Sequence, residues 1–213
     1  MGAQRGLQRL TRPVAALVVL WIGGTLAVTA AEPTDATTAA LLAEVRRSFT
    51  LRGKPIPPEI FRDFGDGDLA DSGSIWVTVD LDAAVGSNLY YDDIKVDRRS
   101  AMQKKTGSNE ETGYVYIGST DNGLLVALAS YSGGGSGDFI TLHIMDLAAA
   151  RAFDNDGKIY TRINLTNIRS IALGDRWSGD VSIAKNAIHV VTTRNGPADD
   201  SARAPMTIEA KRP

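Results

Sequence analysis

The stretch from Gly113 to Met145, GYVYIGSTDNGLLVALASYSGGGSGDFITLHIM, limits what this chain can fold into more than any other. Three runs rich in Val, Ile, Leu, Tyr and Phe are separated by two turn signals. At Thr120-Asp121-Asn122-Gly123, the Asn-Gly pair tolerates positive φ at both positions, as a two-residue hairpin turn demands. At Gly133-Gly134-Gly135-Ser136-Gly137 the glycine density stops any strand. The spacing predicts three consecutive antiparallel strands, a β-meander.

The flanking sequence extends this pattern. Ser74 to Asp82 alternates, with Ile75, Val77, Val79 and Leu81 on one face and Trp76, Thr78, Asp80 and Asp82 on the other. Val85 to Val96 reads as short extended pieces around a turn at Gly86-Ser87-Asn88. Arg98 to Thr112, polar and charged, reads as an exposed loop. Ala148 to Arg151 fits a helical turn or a strand. After a turn at Asp154 to Gly157, Ile159, Thr161, Ile163 and Leu165 share one face of a strand. Ile168 to Leu173 is a further strand candidate, and Gly174 to Gly179 a loop. Val181 to Ala184 and Ala187 to Thr193 form a hairpin through Lys185-Asn186. Residues 194–205 are expected to form a mobile loop, and Met206 to Ala210 a last strand. The one strong helix lies within Ala31 to Phe49, capped by Thr34 or Asp35. Its apolar stripe is Leu41, Leu42, Val45 and Phe49, and Arg46 and Arg47 fall in the last turn. Gly53 to Pro58 is an extended connector. Strands follow one another through short turns, with no long helices between them. The expected fold is mainly β: an antiparallel β-sandwich or partly closed barrel with one N-terminal helix, with α+β as the alternative.

The N-terminus has a cationic start (Arg5, Arg9, Arg12), an apolar run from Val14 to Val28, and small residues at Val28-Thr29-Ala30. This is the pattern of a secretory signal peptide cleaved after Ala30. The apolar run is shorter than the roughly 20 residues of a membrane span, so no span is expected in the mature chain. The organisation read from this is a signal peptide over 1–30, helix and connector over 31–55, and a single β-rich domain over 56–213. Acidic residues number 25 against 23 basic ones, three of the latter in the leader. An acidic mature protein argues against nucleic acid as a partner. Cys is absent, so no disulfide holds this exported chain together.

Specific chemistry is sparse. Asp63, Asp66, Asp68 and Asp71 sit on a Gly-rich segment and weakly suggest Ca²⁺, which binds several carboxylate oxygens; a solvated acidic turn accounts for them better. No other cofactor is expected. Asp154-Asn155-Asp156-Gly157 resembles the middle of a calcium loop, but Ala152 and Ile163 stand where ligands belong. His143 and His189 lie opposite the apolar faces of their strands and read as structural or surface residues. Ser136 fails the Gly-x-Ser-x-Gly pattern at Asp138. Trp76, Tyr90, Tyr91, Asp92 and Trp177 combine ring faces with polar neighbours, the chemistry that holds sugars; burial between sheets competes with that role. The expectation is an exported, non-catalytic binding or accessory protein of the cell envelope, periplasmic or secreted. Its partner would be an envelope component or glycan. The alternative is a secreted carbohydrate-active hydrolase using carboxylates such as Asp80, Asp82 or Asp92, two of which would have to face each other about 5 to 10 Å apart.

Overall fold

The meander becomes the centre of a seven-stranded antiparallel sheet. The computed structural model describes residues 36–64, 76–86, 90–195 and 205–212. In chain order its elements are α1 (Ala36–Ser48), β1 (Thr50–Leu51), β2 (Lys54–Pro55), α2 (Ile60–Asp63), β3 (Val77–Asp80), α3 (Leu81–Gly86), β4 (Lys95–Asp97), β5 (Ser100–Lys104), β6 (Glu111–Ser119), β7 (Leu125–Ser132), β8 (Phe139–Phe153), β9 (Ile159–Asp175), β10 (Trp177–Ala184), β11 (Ala187–Asn195) and β12 (Met206–Glu209). The large sheet has the order β3-β9-β8-β7-β6-β5-β4, a small sheet the order β10-β11-β12, and β1-β2 form a hairpin. The fold is mainly β, layered rather than closed into a barrel.

Residues in register share a face, so the meander presents two different surfaces. One carries Tyr116, Ala127 and His143 in a row; the next row, Val115, Leu128 and Leu142, points the other way. The first surface is covered by the N-terminal segment. Val45, Phe49, Leu51, Ile56, Phe61 and Phe64 pack there against Tyr114, Tyr116, Met145 and Leu165. Phe49 ends α1 in the left-handed region, φ 55°, which costs a non-glycine residue about 1–2 kcal/mol. Its ring lies 4.9 Å from Tyr116 and 5.0 Å from Tyr114, and burying a Phe returns about 1.5–3 kcal/mol. The Tyr116 hydroxyl donates to the Arg46 carbonyl at 2.5 Å, satisfying a helix-end acceptor. Glu44 gathers the β1-β2 turn, accepting from the Gly53 and Arg52 amides at 2.7 and 3.1 Å. Above all the Gly53 bond holds its carboxyl below the usual range.

The second surface is covered by the small sheet. Leu124, Val126, Leu142, Ile144 and Leu173 meet Ile188, Val190 and Ile208. The β6-β7 turn pins that cover in place. Asn122 Oδ1 accepts from Thr120 Oγ1 within the turn, while its amide donates to Asn186 Oδ1 at 2.9 Å and its Nδ2 donates to the Ala210 carbonyl at 2.8 Å. Arg212 Nε returns a bond to the Asn122 carbonyl at 3.1 Å.

Several sequence expectations change. Arg98 to Thr112 is not a loop throughout: β5 pairs with β6 from Ser100↔Val115 to Lys104↔Glu111, burying Ala101 and Gln103. Small and polar inward residues hid this strand. The strand expected to run to Asp82 stops at Asp80, whose carboxylate accepts from the amides of Asp82 and Ala83 at 3.0 and 3.3 Å and so caps α3. Ala148 to Arg151 is strand, within β8. Trp177 opens β10 and is not in a loop. Asn122 does not take a positive φ; only Gly123 does, at 82°. The capping residues Thr34 and Asp35, the turn residues Ser87 and Asn88, and most of 194–205 lie outside the described residues, as does the leader.

Gly123→Val forces a β-branched residue into the left-handed region and should cost about 1–3 kcal/mol. Asn122→Val should cost about as much for a different reason, the loss of Asn122's side-chain bonds. Urea unfolding midpoints measure both. An unchanged midpoint for Gly123→Val would refute the turn, and one for Asn122→Val would refute the pinning role.

Candidate functional site

The large sheet is wider than its cover. β10 lies over β6, while Arg212, just past β12, reaches Asp146 of β8 at 3.2 Å. The small sheet therefore reaches from β6 to β8, and leaves open the same face of β5 and β4 together with neighbouring positions of β6, β7 and β8. A groove of about 480 Å³ opens there. Two register rows form its floor, Lys95-Met102-Gly113-Ser130-Ile140 and Asp97-Ser100-Val115-Leu128. Trp177 forms the wall on the β10 side. Met102 and Val115 remain 46% and 45% exposed, much for large apolar side chains on a sheet face.

Trp177 is held in one pose. Its Nε1 donates to Thr192 Oγ1 at 2.9 Å, and its ring lies on Gly179. A Cβ at Gly179 would sit 2.5 Å from Trp177 Cζ2 and 2.1 Å from the Val191 carbonyl oxygen, so only glycine fits beneath the ring. Gly113 deepens the floor in the same way, since a Cβ there would meet Ser130 Oγ at 3.0 Å. Lys95 and Asp97 are the charged residues of the lining.

A second cleft, about 400 Å³, lies between α2 and β3-α3 and is lined by Glu59, Asp63, Thr78 and Asp80. Burial first, and Asp63 next, raise the Glu59 carboxyl above its ordinary value. Asp80 is engaged as the α3 cap. Asp82 pairs instead with Arg52 at 2.7 Å, and Asp92 accepts from Thr106 Oγ1 at 2.9 Å; neither lines this cleft.

His143 is buried inside the first core. Its Nδ1 lies 3.0 Å from Ser170 Oγ and 3.3 Å from Asn167 Oδ1, and Asn167 Nδ2 donates to Ser170 Oγ at 2.8 Å. Phe61 and Phe64 stand 5.1 and 5.8 Å from its ring. The adjoining void is about 20 Å³, room for about one water. A Ser–His contact is also a nucleophile arrangement, but this one has no space for a substrate. It is a polar knot satisfied within an apolar core.

Trp76 precedes β3 at one edge of the large sheet and is exposed. Tyr90, Tyr91 and Asp92 precede β4 at the other edge; Tyr90 is exposed, and Tyr91 is half-buried and bridges Lys105. Of these five aromatic and acidic candidates, Trp177 alone lines the large groove. Asp63 ends α2, exposed; Asp66, Asp68 and Asp71 lie outside the described residues. Among the described residues no group of three or more His, Asp or Glu is placed to hold a metal ion. His189 Nδ1 lies 3.1 Å from Thr207 Oγ1 across the small sheet. Sequence reasoning missed Met102, Val115, Leu128 and Ile140 as groove residues. Val115, Leu128 and Ile140 look like ordinary core in sequence, while Met102 falls in the stretch read as an exposed loop; only the limited reach of the small sheet leaves them in an open groove.

Searches against protein-family models, curated proteins and solved structures gave no match.

The His143 knot makes stability depend on pH. Free imidazole titrates near 6.5, and burial pushes His143 down to about 4. Between these values the unfolded chain binds more protons than the folded one. Its contribution is therefore complete above about pH 6.5 and is lost as pH falls toward 4. Going from pH 7.5 to 5 should remove about 2 kcal/mol through this residue. His143→Gln, less stable at neutral pH, should lose that much less over the same interval. Urea titrations at both pH values test this; equal losses in the two proteins would contradict it.

Proposed function

We propose that this protein is an exported, non-catalytic binding or accessory protein of the cell envelope, and that its ligand lies in the groove beside Trp177. The observation that carries this is the pair of large apolar side chains left open to solvent on a sheet face, Met102 and Val115. Soluble proteins seldom leave such a face contiguous and uncovered unless something binds there. The groove's volume suits a ligand site, and its apolar lining with a few polar groups is the usual composition of one. Ser100, Ser130, Lys95 and Asp97 supply those polar groups. Met102 adds a flexible surface that can reshape around an occupant. Mostly apolar chemistry favours an apolar ligand surface over a glycan, which needs more hydrogen-bonding partners than this lining offers. The cationic start and short apolar run of the leader support export.

A secreted hydrolase remains the competing function, and its best ground is the cleft of Glu59 and Asp63, where a raised carboxyl stands beside a second acid.

Protein recovered by osmotic shock tests the proposal. Its intact mass should begin at Ala31 or Glu32. Nile red, an uncharged apolar dye, should bind it saturably with a blue-shifted emission. Met102→Asp combined with Val115→Asp should weaken that binding about tenfold or more, as expected when two apolar contacts are lost. Recovery only in membranes with Met1 to Ala30 attached would overturn export. Dye binding that ignores both substitutions would overturn the groove.

A further inference from the structure

The floor of the groove changes character from one end to the other. Its longer row, Lys95-Met102-Gly113-Ser130-Ile140, crosses from β4 to β8, four strand spacings or about 19 Å. The second row, Asp97-Ser100-Val115-Leu128, lies two residues away along the strands, about 7 Å. Leu142, which would extend that row, is buried under the small sheet. The open floor is thus long and narrow, and its long axis runs across the strands. At the β8 end stand Ile140 and Trp177; the latter follows shortly after Gly174, the β9 partner of Ile140. At the β4 end both rows begin with a charge, Lys95 and Asp97. These alternate residues share a face of β4 and are exposed. Among the described residues neither has an ion-pair partner. Between the ends, Met102, Val115 and Leu128 supply apolar surface, and Gly113 keeps the floor deep.

We propose that the groove binds a single-chain lipid amphiphile with a zwitterionic headgroup, its hydrocarbon chain lying across the strands toward Trp177 and its head at Lys95 and Asp97. This rests on the binding function proposed above and names the ligand. The two charges select the head. An anion alone gains at Lys95 and is repelled by Asp97, and a cation alone meets the reverse. A head that carries both signs side by side, as phosphoethanolamine does, satisfies both. The flexible four-carbon stem of Lys95 lets its ammonium move to meet the anion. Charge contacts at this exposed margin are weak and salt-sensitive. The head therefore sets selectivity and orientation, while the chain supplies most of the affinity. The shape of the floor selects the chain. An extended peptide on the same floor would bury main-chain amides against a lining whose hydroxyls on this face are Ser100 and Ser130, a cost that a hydrocarbon chain does not carry. Met102 can reshape around the chain, and the Trp177 ring, fixed by Thr192, closes the apolar end.

The probes share one chain length: palmitoyl-lysophosphatidylethanolamine, monopalmitoylglycerol with its uncharged head, palmitate and hexadecylamine. Each is used below its micelle threshold and at matched low ionic strength. Displacement of Nile red from the mature protein reports affinity. The zwitterion should bind about tenfold more tightly than each of the others. Lys95→Glu should move that preference to hexadecylamine, and Asp97→Lys should move it to palmitate. Both are exposed changes outside the core, and Nile red itself should bind them as it binds the parent. A nitroxide at the chain terminus of the zwitterion should broaden the NMR signals of Ile140 and the Trp177 indole and spare those of Lys95 and Asp97. A headgroup order unchanged by either substitution, or a nitroxide that broadens Lys95 first, would overturn the proposal. So would a dimer, formed at rising protein concentration, that displaces Nile red without added lipid. If Nile red binds and the amphiphiles bind equally, the headgroup assignment fails while the groove stands; if neither the dye nor any amphiphile binds, both fail.

Discussion

A β-sheet with two apolar faces must be covered twice, and this requirement shapes the rest of the molecule. The meander imposes it, because its inward and outward rows are both rich in large apolar side chains. Tyr114, Tyr116, Leu125 and Met145 point one way, and Leu124, Val126, Leu142 and Ile144 the other; all eight are buried. Without a disulfide, burial on both faces must supply the stabilisation that opposes chain entropy. The two covers differ in kind. Side chains from α1, the β1-β2 hairpin and α2 fill the first face in three dimensions, with the Phe49 ring between Tyr114 and Tyr116. The second face is met by a sheet of three strands, and a cover of three strands has a definite width. Where that width ends, the groove begins.

Ionisable groups follow the same logic. Charged side chains sit where bonds or solvent hold them: Glu44 around the β1-β2 turn, Asp82 against Arg52, Arg212 against Asp146. His143, inside the first core, stays neutral and satisfies its ring nitrogen through Ser170 and Asn167. A charged residue at that position would require a buried counter-ion, and the neighbouring rings of Phe61 and Phe64 offer none. The same residue that completes the core at neutral pH thus makes it sensitive to acid.

The meander and the β10-β11 hairpin are legible in sequence because strong alternation coincides with turn residues there. Lys185 indeed takes a positive φ of 58° at the hairpin turn, as a tight connection between twisted strands requires. β5 is illegible because its inward residues, Ala101 and Gln103, carry no apolar signal; pairing with β6 defines it. The end of β3 is hidden because Leu81 continues the strand's alternation, while the Asp80 carboxylate quietly caps a helix instead. Asn122 is legible as a turn residue but not in its role. Beside a local bond from Thr120, its bonds run to Asn186 and Ala210, 64 and 88 residues away in the chain, and no local pattern encodes partners at that distance. The groove is harder still. Val115 reads as core by type and Met102 as part of an exposed loop, and their place in a groove depends on where β10 ends up relative to β6. Trp177 is the one groove residue that its chemistry singles out in sequence.

Residue-resolved hydrogen exchange under native conditions tests the doubly covered sheet most directly. Amides of Leu125 to Ala129 and Leu142 to Met145 should exchange only through global unfolding, at the full unfolding free energy measured by denaturant. Those of Lys95 to Asp97 at the sheet margin, and the unbonded amides of β10, should exchange through local opening orders of magnitude faster. If Leu125 to Ala129 exchanged as fast as Lys95 to Asp97, burial on both faces could not be what holds this protein together.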